Sequence, residues 1–488
     1  MKILFLYKQV EYIDPMGIML LSALAKRAGH ETFLNVLADN NLEESLSKIK
    51  PDIVAASAKT GEHKYYIEAF RRIKKNSPTT ITNMGGPHPT FFPEIINEPS
   101  LDVIIIGEGD EAWVELLRAL ENKNSVERID NVYTKEMKAQ GREPVLRFKK
   151  INLDDLPFYD RDLLYKNTRL GRFPMRSFMV SRGCPYHCTY CFNHVYNEMY
   201  KNKGPIVTRM GVDRIIAELK NLKEKYETQF IKFYDDNFVL ADDEWLTEFS
   251  EKYPKEIGLP FHCLMRANNL TESILLKLKK AGLVSISMSI EAANDRLRNE
   301  IFKRGMTKEE IFRAFLLCHK HKIPTFCNTI FGIPTGNIKN DIESLDLNLE
   351  CKVTFGEFPI FYPYPRTHLG EYAKQKGLFD GDFDKLHMSY QAGSPLNCFS
   401  EQEKLQQMNL SLLGTVVLKF PWLRNLTVKH LINWRLTKLY FVAYYLTKAY
   451  LIKTKIYPMK FSLGNTLRSV YESFILEKFK HTSEKTEK

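Results

Sequence analysis

The first 183 residues contain no cysteine, so neither a disulfide nor a thiolate-held metal can sit in that part of the chain. The eight cysteines that follow, Cys184, Cys188, Cys191, Cys263, Cys318, Cys327, Cys351 and Cys398, show no paired spacing. That argues against a disulfide scaffold and for a reducing, cytoplasmic setting. No G-x-G-x-x-G follows the first apolar run, Ile3–Tyr7, which makes a dinucleotide a poor guess. Met1 to Tyr7 is too short for a signal peptide and reads as a first strand. The apolar, aromatic stretch from Leu439 to Ile452 has 14 residues with Lys448 inside it, too short to span a bilayer. Acidic residues are absent between Lys404 and Tyr471, and residues 401–488 carry 15 Lys+Arg against 6 Asp+Glu. Most of the net charge of +11 therefore lies in the last fifth of the chain, which marks a segment with its own role. The 44% hydrophobic and 26% charged composition is ordinary for a globular chain, and 488 residues allow two to three domains.

Three of the cysteines stand close together, in Ser181-Arg-Gly-Cys-Pro-Tyr-His-Cys-Thr-Tyr-Cys-Phe-Asn193. The C-x3-C-x2-C spacing of Cys184, Cys188 and Cys191 lets all three thiolates face one inorganic centre, the ligation that iron–sulfur clusters use. Three ligands leave one iron of a cubane open, whereas a structural zinc site wants four closed ligands and no fourth Cys lies nearby. The plainer alternative is three buried cysteines or a zinc knuckle. The stretch resembles the cluster loop of the radical S-adenosylmethionine (radical SAM) superfamily, including Tyr190 just before the third Cys. That resemblance implies a 4Fe-4S cluster on Cys184, Cys188 and Cys191 as metal ligands and catalytic centre. S-adenosylmethionine would bind the open iron and be cleaved reductively, with an external electron donor such as flavodoxin or ferredoxin.

Upstream, strand-like runs (Ile3–Tyr7, Thr32–Val36, Ile53–Ser57, Thr80–Met84, Val103–Ile106) alternate with helical patterns at Gly17–Ala28, Leu42–Ile49, Tyr65–Lys75 and Ala112–Glu121. Such alternation predicts a doubly wound, Rossmann-like parallel sheet, whose ligands bind beyond the carboxyl ends of the strands. The ends carry Asp14-Pro-Met-Gly17, Ala58-Lys-Thr-Gly61, Gly85-Gly-Pro-His-Pro-Thr90 and Gly107-Glu-Gly-Asp-Glu111. This arrangement resembles the cobalamin-binding domain of one radical SAM branch, with Asp110 where a second Glu is usual. The resemblance implies cobalamin contacts from Thr60, Gly85, Gly86, Pro87, His88, Gly107, Glu108, Gly109 and Glu111. The Asp-x-His-x-x-Gly motif is absent, so cobalt without a histidine ligand is expected, His30, His63 and His88 having other settings. Glycines after strands are common in any such sheet, and His88 has the plainer role of a helix cap. Methylthiotransferases of the superfamily carry a second three-cysteine cluster near the N-terminus, which this cysteine-free region excludes.

Residues 136–169 read as a linker, charged and without periodicity from Lys135 to Lys150, between a domain at 1–135 and a core at 170–380. The core offers strands at Met175–Val180, Phe230–Asp235, Phe261–Met265, Val284–Ile290, Thr325–Ile330 and Phe355–Phe361. The helices between them are Val212–Lys225, Asp242–Tyr253, Glu272–Ala281, Lys308–His319 and Asn340–Leu349. Six βα units are too few for a closed eight-stranded barrel, and the superfamily's open (β/α)6 barrel fits, with its site at the C-terminal strand ends. By resemblance, Asp235 and Asp236 lie near the amino end of S-adenosylmethionine, Glu291 near its ribose, and Gly332-Ile333 against the adenine. An internal ion pair of Asp235, Asp236 and Arg266 is the structural alternative. The other five cysteines read as small buried hydrophobes.

Residues 381–488 read as a helical, basic segment: a helix from Ser400 to Leu413 stopped by Gly414, a second from Trp422 to Tyr457, and a polar, unstructured tail after Lys478. Cations interleaved with Trp422, Trp434, Tyr440, Tyr444, Tyr445 and Tyr450 suit peripheral contact with an anionic inner membrane face. A helical cover packed across the barrel is the equal alternative, and no nucleic-acid module is visible. The whole is read as a cobalamin-dependent radical SAM enzyme that methylates an unactivated carbon of a small molecule, with a weak lean toward a lipid or isoprenoid. A cyclase, oxidoreductase or rearrangement enzyme, as in the anaerobic Mg-protoporphyrin ester cyclase group of the same layout, is the second reading. A cobalamin or redox sensor is the third.

Overall fold

The computed structural model describes residues 1–382, 391 and 393–460, and the chain divides into two compact units. The first holds Met1–Phe178 with Glu198–Met210 and Glu224–Glu227, and the second holds Met179–Asn197, Gly211–Lys223 and the chain from Thr228 onward.

The sheet of the first unit contains β1 (Lys2–Tyr7), β2 (Glu31–Val36), β3 (Ile53–Ser57), β4 (Ile81–Gly85), β5 (Val103–Ile105) and β6 (Val132–Thr134). They lie in the order β2-β1-β3-β4-β5-β6. All pair parallel except β5 with β6. The five predicted strands are present; β6 is too short, at three residues, for an alternating pattern to announce it. Because crossovers are right-handed, reversing direction at β1 puts the helix Met16–Arg27 on the face opposite the helices Leu42–Ile49 and His63–Asn76 and opens a crevice between the ends of β1 and β3. The helix Asp110–Glu121 returns to the first face, where Trp113 donates to Leu21 O at 3.1 Å. Leu4, Val54, Met84 and Ile104 centre one apolar layer with Tyr66, Phe70 and Ile73 of the helix His63–Asn76.

The charged stretch expected to be a linker is tied down. Thr134 caps a short helix, Lys135–Ala139. Asn131 then donates its backbone N–H to Val145 O and accepts the Arg147 N–H on its side chain, both at 2.7 Å. One asparagine thus satisfies backbone that no periodic pattern foretold. Further on, Arg161 donates to Asp14 Oδ2 at 3.0 Å and to Ser177 O at 2.8 Å. Tyr165 completes this buried network by donating to Asp14 Oδ1.

The second sheet has six strands in plain chain order: β7 (Met175–Phe178), β8 (Phe230–Phe233), β9 (Phe261–Leu264), β10 (Leu283–Ser287), β11 (Thr325–Asn328) and β12 (Phe355–Glu357). From β8 to β12 all neighbours are parallel, and the strand order is linear, so the sheet is open as expected. Side chains alternate across it. Phe233 and Phe261 pack outward on Phe249 and Tyr253 of the helix Glu244–Glu256. Lys232, Leu264, Ser287, Phe326 and Glu357 face the other way, into a cavity.

After the sheet, Ser400 and Glu403 form the predicted capping box, but the helix runs Glu401–Lys419, straight through Gly414. A Cβ on Gly414 would lie 2.7 Å from the Phe358 ring, so this glycine serves a close approach rather than a stop. The expected single helix from Trp422 to Tyr457 is broken. Short turns cover Pro421–Asn433 and a helix follows at Thr437–Leu451. The break falls where buried Asn409 donates to Ile432 O and Trp434 O, at 2.9 and 2.8 Å, taking carbonyls that a continuous helix would bond itself. Tyr440, Tyr444 and Tyr445 are buried, and Ile456 O accepts from Ser285 of β10, so the segment packs against the second sheet. The tail after Lys478 lies outside the described residues.

Candidate functional site

Cys184, Cys188 and Cys191 sit in the turn leading into the helix Phe192–Met199, Cys188 buried and the other two half-buried. The turn is anchored at several points. Asp235 Oδ1 accepts from the Val180 and Ser181 amides at 3.0 and 2.6 Å and from Ser181 Oγ. Asn197 donates to Cys184 O at 2.8 Å, His194 Nδ1 pairs with Cys188 O at 2.9 Å, and Thr189 donates to Ile301 O.

Burial raises the Cys184 thiol and pushes Cys191 up to about 12, and Cys191 feels both of the other sulfurs. Against this, the Tyr186 amide faces the Cys184 sulfur and the Asn193 amide faces that of Cys191. Two guanidiniums approach Cys188 Sγ: Arg266 Nη1 at 3.5 Å and Arg304 Nη1 at 3.8 Å. Thiols that need a cation to bring out the thiolate, with N–H donors and positive charge turned toward them, fit a cluster carrying net negative charge. Among the described residues no three His, Cys, Asp or Glu side chains close around a single ion.

Around them, Tyr190 OH donates to Glu291 Oε1 at 3.0 Å and accepts from Arg304 at 3.2 Å. Arg304 also donates to Ser289 O at 2.9 Å. Glu291 takes a left-handed φ of 63°, a strained backbone for a glutamate. Burial raises its pKa, and Arg304 is the strongest opposing influence. Asp236 is exposed beside the Cys184 and Cys191 sulfurs and the Asn193 side chain.

Asp236, Glu291 and Tyr190 are therefore gathered at the loop, whereas three other expected contacts lie differently. Asp235 is 0% exposed and braces the loop from below. The Gly332 N–H is already bonded to Asp341 Oδ1 at 3.1 Å. Ile333 is 2% exposed among Ala292, Leu297, Phe302 and Phe361, so the apolar shelf is filled by the protein itself. Arg304 escaped the sequence analysis because it follows a lysine in a surface-like Phe-Lys-Arg-Gly turn.

The loop borders a cavity of about 390 Å³ lined by Tyr190, Lys232, Tyr234, Phe326, Glu357 and Tyr362, among others. Lys232 and Glu357 also went unremarked. A lysine at the inward position of an apolar strand, Phe-Ile-Lys-Phe, was the available signal.

In the first unit the strand-end residues meet at the crevice. Thr60 Oγ1 is 3.2 Å from His88 Nδ1. His63 stacks on His88 at 3.7 Å between centroids, and His88 also stacks with Phe92 at 5.1 Å. His88 lies within the short helix Pro87–Phe91 rather than capping it. Nothing approaches within 4 Å of where a Cβ would stand on Gly17 or Gly61. These bare positions, in the first turn of the helix after β1 and in the turn after β3, leave a rim that suits a large flat ligand such as a corrin.

Two of the expected glycines are also required by close approaches within the fold, whereas Gly85 and Gly109 make only ordinary contacts with Ile105. Gly86 (φ 91°) meets Ser57 Oγ at 2.7 Å and Gly107 (φ 72°) meets the Tyr200 hydroxyl at 2.0 Å from a would-be Cβ. Glu108 is committed internally, its amide to Tyr200 OH and its carboxylate to the Lys150 amide. Glu111 is half exposed and pairs with Arg147 and Lys150.

Residues 178–347 match the profile of the radical SAM superfamily, and residues 8–117 that of the B12 binding domain. The chain is 26% identical over 374 residues to an uncharacterized methyltransferase of Pyrococcus horikoshii, covering 75% of this chain and 79% of that one. It is 27% identical over 392 residues to the anaerobic magnesium-protoporphyrin IX monomethyl ester cyclase of Cereibacter sphaeroides, covering 75% of this chain but only 61% of the cyclase. In fold it resembles the radical S-adenosylmethionine methyltransferase TsrM from Kitasatospora setae, solved with tryptophan and a SAM analogue. There the TM-score is 0.64 at 18% identity, over 77% of this chain and 76% of that one.

Proposed function

The chain belongs to the radical SAM superfamily, in the branch where a B12-binding domain precedes the cluster domain, and on that premise we propose a cobalamin-dependent methyltransferase acting on an unactivated carbon. The observation that carries the proposal is the three-thiol loop, ringed by Asp236, Glu291 and Arg304, bordering an interior cavity in a chain that also keeps the bare crevice rim. When bound, the cluster with S-adenosylmethionine supplies a hydrogen-abstracting radical, and the corrinoid supplies the methyl group.

The protein's own part is positioning. Cys184, Cys188 and Cys191 hold the cluster. Asp236 takes the ammonium of S-adenosylmethionine, and Glu291 its ribose hydroxyls, since carboxylates accept from both. Arg304 opposes the effect of burial on the Glu291 carboxyl. Thr60, His63 and His88 form one wall of the corrin crevice. The relative named as a cyclase favours a second reading, ring closure or oxidation with the same parts.

The test is anaerobic reconstitution with iron, sulfide and hydroxocobalamin, then reduction with S-adenosylmethionine and mass spectrometry of the products. Retained cobalamin with both 5′-deoxyadenosine and S-adenosylhomocysteine supports methyl transfer. Deoxyadenosine alone favours the second reading, and absence of both sinks the proposal.

A lipid-facing role for the basic segment rests on its surface. Trp422, Leu439 and Leu446 are 77%, 61% and 60% exposed, with Arg435, Lys438 and Lys453 nearby in sequence. No helix among the described residues is long and apolar enough to cross a membrane, so contact would be peripheral. Each basic residue near an anionic surface contributes about 1 kcal/mol. The chain should co-sediment with phosphatidylserine vesicles at low salt and be released by high salt, and Leu439→Glu with Leu446→Glu should weaken it. Failure to sediment at low salt would leave these residues a plain surface and remove the lean toward a lipid or isoprenoid substrate.

A further inference from the structure

The inward face of the second sheet carries a polar layer where an ordinary core would be apolar. Lys232 of β8, His262 of β9, Ser285 and Ser287 of β10 and Glu357 of β12 all lie on it, each on an alternate position of its strand. Most of these groups are matched. His262 is buried between Ser285 Oγ and Ser287 Oγ, at 2.7 and 2.9 Å. Glu357 Oε1 is 2.8 Å from Lys448 Nζ of the helix Thr437–Leu451 and accepts from Tyr444 OH.

Among the described residues, Lys232 is not matched in this way. The residue is 8% exposed, and its ammonium donates to Tyr234 OH at 2.6 Å and lies over the Tyr234 and Tyr457 rings at 4.0 and 4.8 Å. The carboxylate nearest in the layer, Glu357, is already taken by Lys448. Two lysines therefore share one carboxylate inside the fold. An ammonium so placed is costly unless an anion joins it, and Lys232 lines the cavity that Tyr190 borders at the cluster loop.

We propose that Lys232 is the anion-binding group of the substrate cavity, and that the substrate is a small molecule with an aromatic or other apolar body ending in a carboxylate or phosphate. The anionic end would sit on Lys232 and Tyr234 and the body among Phe326, Phe361, Tyr362 and Tyr364, leaving the far end toward Tyr190. The inference rests on the proposed function only in taking this cavity as the substrate's.

Burial lowers the Lys232 pKa to about 7, opposed by Glu357 and aided by Lys448. His262 is held neutral well below its usual range, and Tyr457 well above its own. Lys232 therefore changes charge near neutrality.

The experiment is equilibrium dialysis of the reconstituted full chain against 2-naphthoate and its uncharged twin, 2-naphthamide. At mildly acidic pH the acid should bind on the order of tenfold more tightly than the amide, as one charge-assisted contact implies. The preference should vanish in Lys232→Met, survive in Lys232→Arg, and fade in the wild type as the pH rises past about 7. Equal affinity for acid and amide, or a preference that persists in Lys232→Met, would overturn the proposal. If Lys232→Met does not fold, the Arg variant and the wild-type pH titration decide: loss of preference in Arg, or no change with pH, overturns it. Deoxyadenosine formation by the same preparation is read separately, so a chain that cleaves S-adenosylmethionine without preferring the acid refutes this inference and leaves the proposed function standing.

Discussion

Replacing Cys191 with alanine is expected to give a folded chain that holds no cluster and makes no detectable 5′-deoxyadenosine. The fold should tolerate the change. Cys191 is half-buried at the head of a helix, and its turn is held by Asp235, Asn197, His194 and Thr189 rather than by its own thiol. The chemistry should not tolerate it. Losing a hydrogen-bonded neighbour of a metal ligand costs about 10–100-fold, so losing one of three ligands costs more. Cys318→Ala is the control. That thiol is buried on the outer helix Lys308–Lys320, and its removal should cost about 1 kcal/mol of stability with the cluster intact. Iron and sulfide assay, electron paramagnetic resonance and product analysis separate the two variants. Activity retained in Cys191→Ala would refute the assignment of the loop.

The second large effect is expected at Arg304. Arg304→Met leaves Glu291 buried beside the Tyr190 hydroxyl with its nearest cation removed. Arg304 reaches Glu291 through the Tyr190 hydroxyl rather than in a direct ion pair, so the loss should fall below the about 3–5 kcal/mol of breaking a directly paired buried charge. The denaturation midpoint should fall accordingly. Adding Glu291→Gln to the same chain should recover most of the loss, since the orphaned charge disappears with it, and a double-mutant cycle measures the coupling. Neither variant should cleave S-adenosylmethionine at the wild-type rate, because both lack the cation beside Cys188 and the double variant also lacks the carboxylate proposed to hold the ribose. Additive destabilisation without recovery would show that Arg304 serves packing alone.

Much of this arrangement was legible in the chain. The first five strands could be placed because each is a short apolar run followed by a turn signal, and the three-cysteine spacing is specific enough to stand alone. What escaped depended on contacts distant in sequence. Gly414 reads as a helix stop until Phe358 is brought against it. The run from Trp422 reads as one helix until Asn409 captures the carbonyls of Ile432 and Trp434. Glu111 belongs to an acidic strand-end motif, but Arg147, from a stretch without periodicity, turns it outward. Asp235 and Asp236 are adjacent and alike in sequence. Only the fold separates them, putting one beneath the loop and the other beside the sulfurs. Arg304 and Lys232 show the same limit, since a cation becomes informative only once its burial is known.

The bond from Ser285 to the carbonyl of Ile456 joins residues 171 positions apart. A ribosome adding about 5–20 residues per second needs roughly ten to thirty seconds to travel that distance. During that interval the strands bearing Lys232 and His262 have left the ribosome while the turn that seals them has yet to be made. Their polar layer must therefore stay hydrated while the nascent chain is already long enough to collapse. A truncation upstream of Tyr457 would hold the chain permanently in that half-sealed state, a natural target for chaperones and proteases.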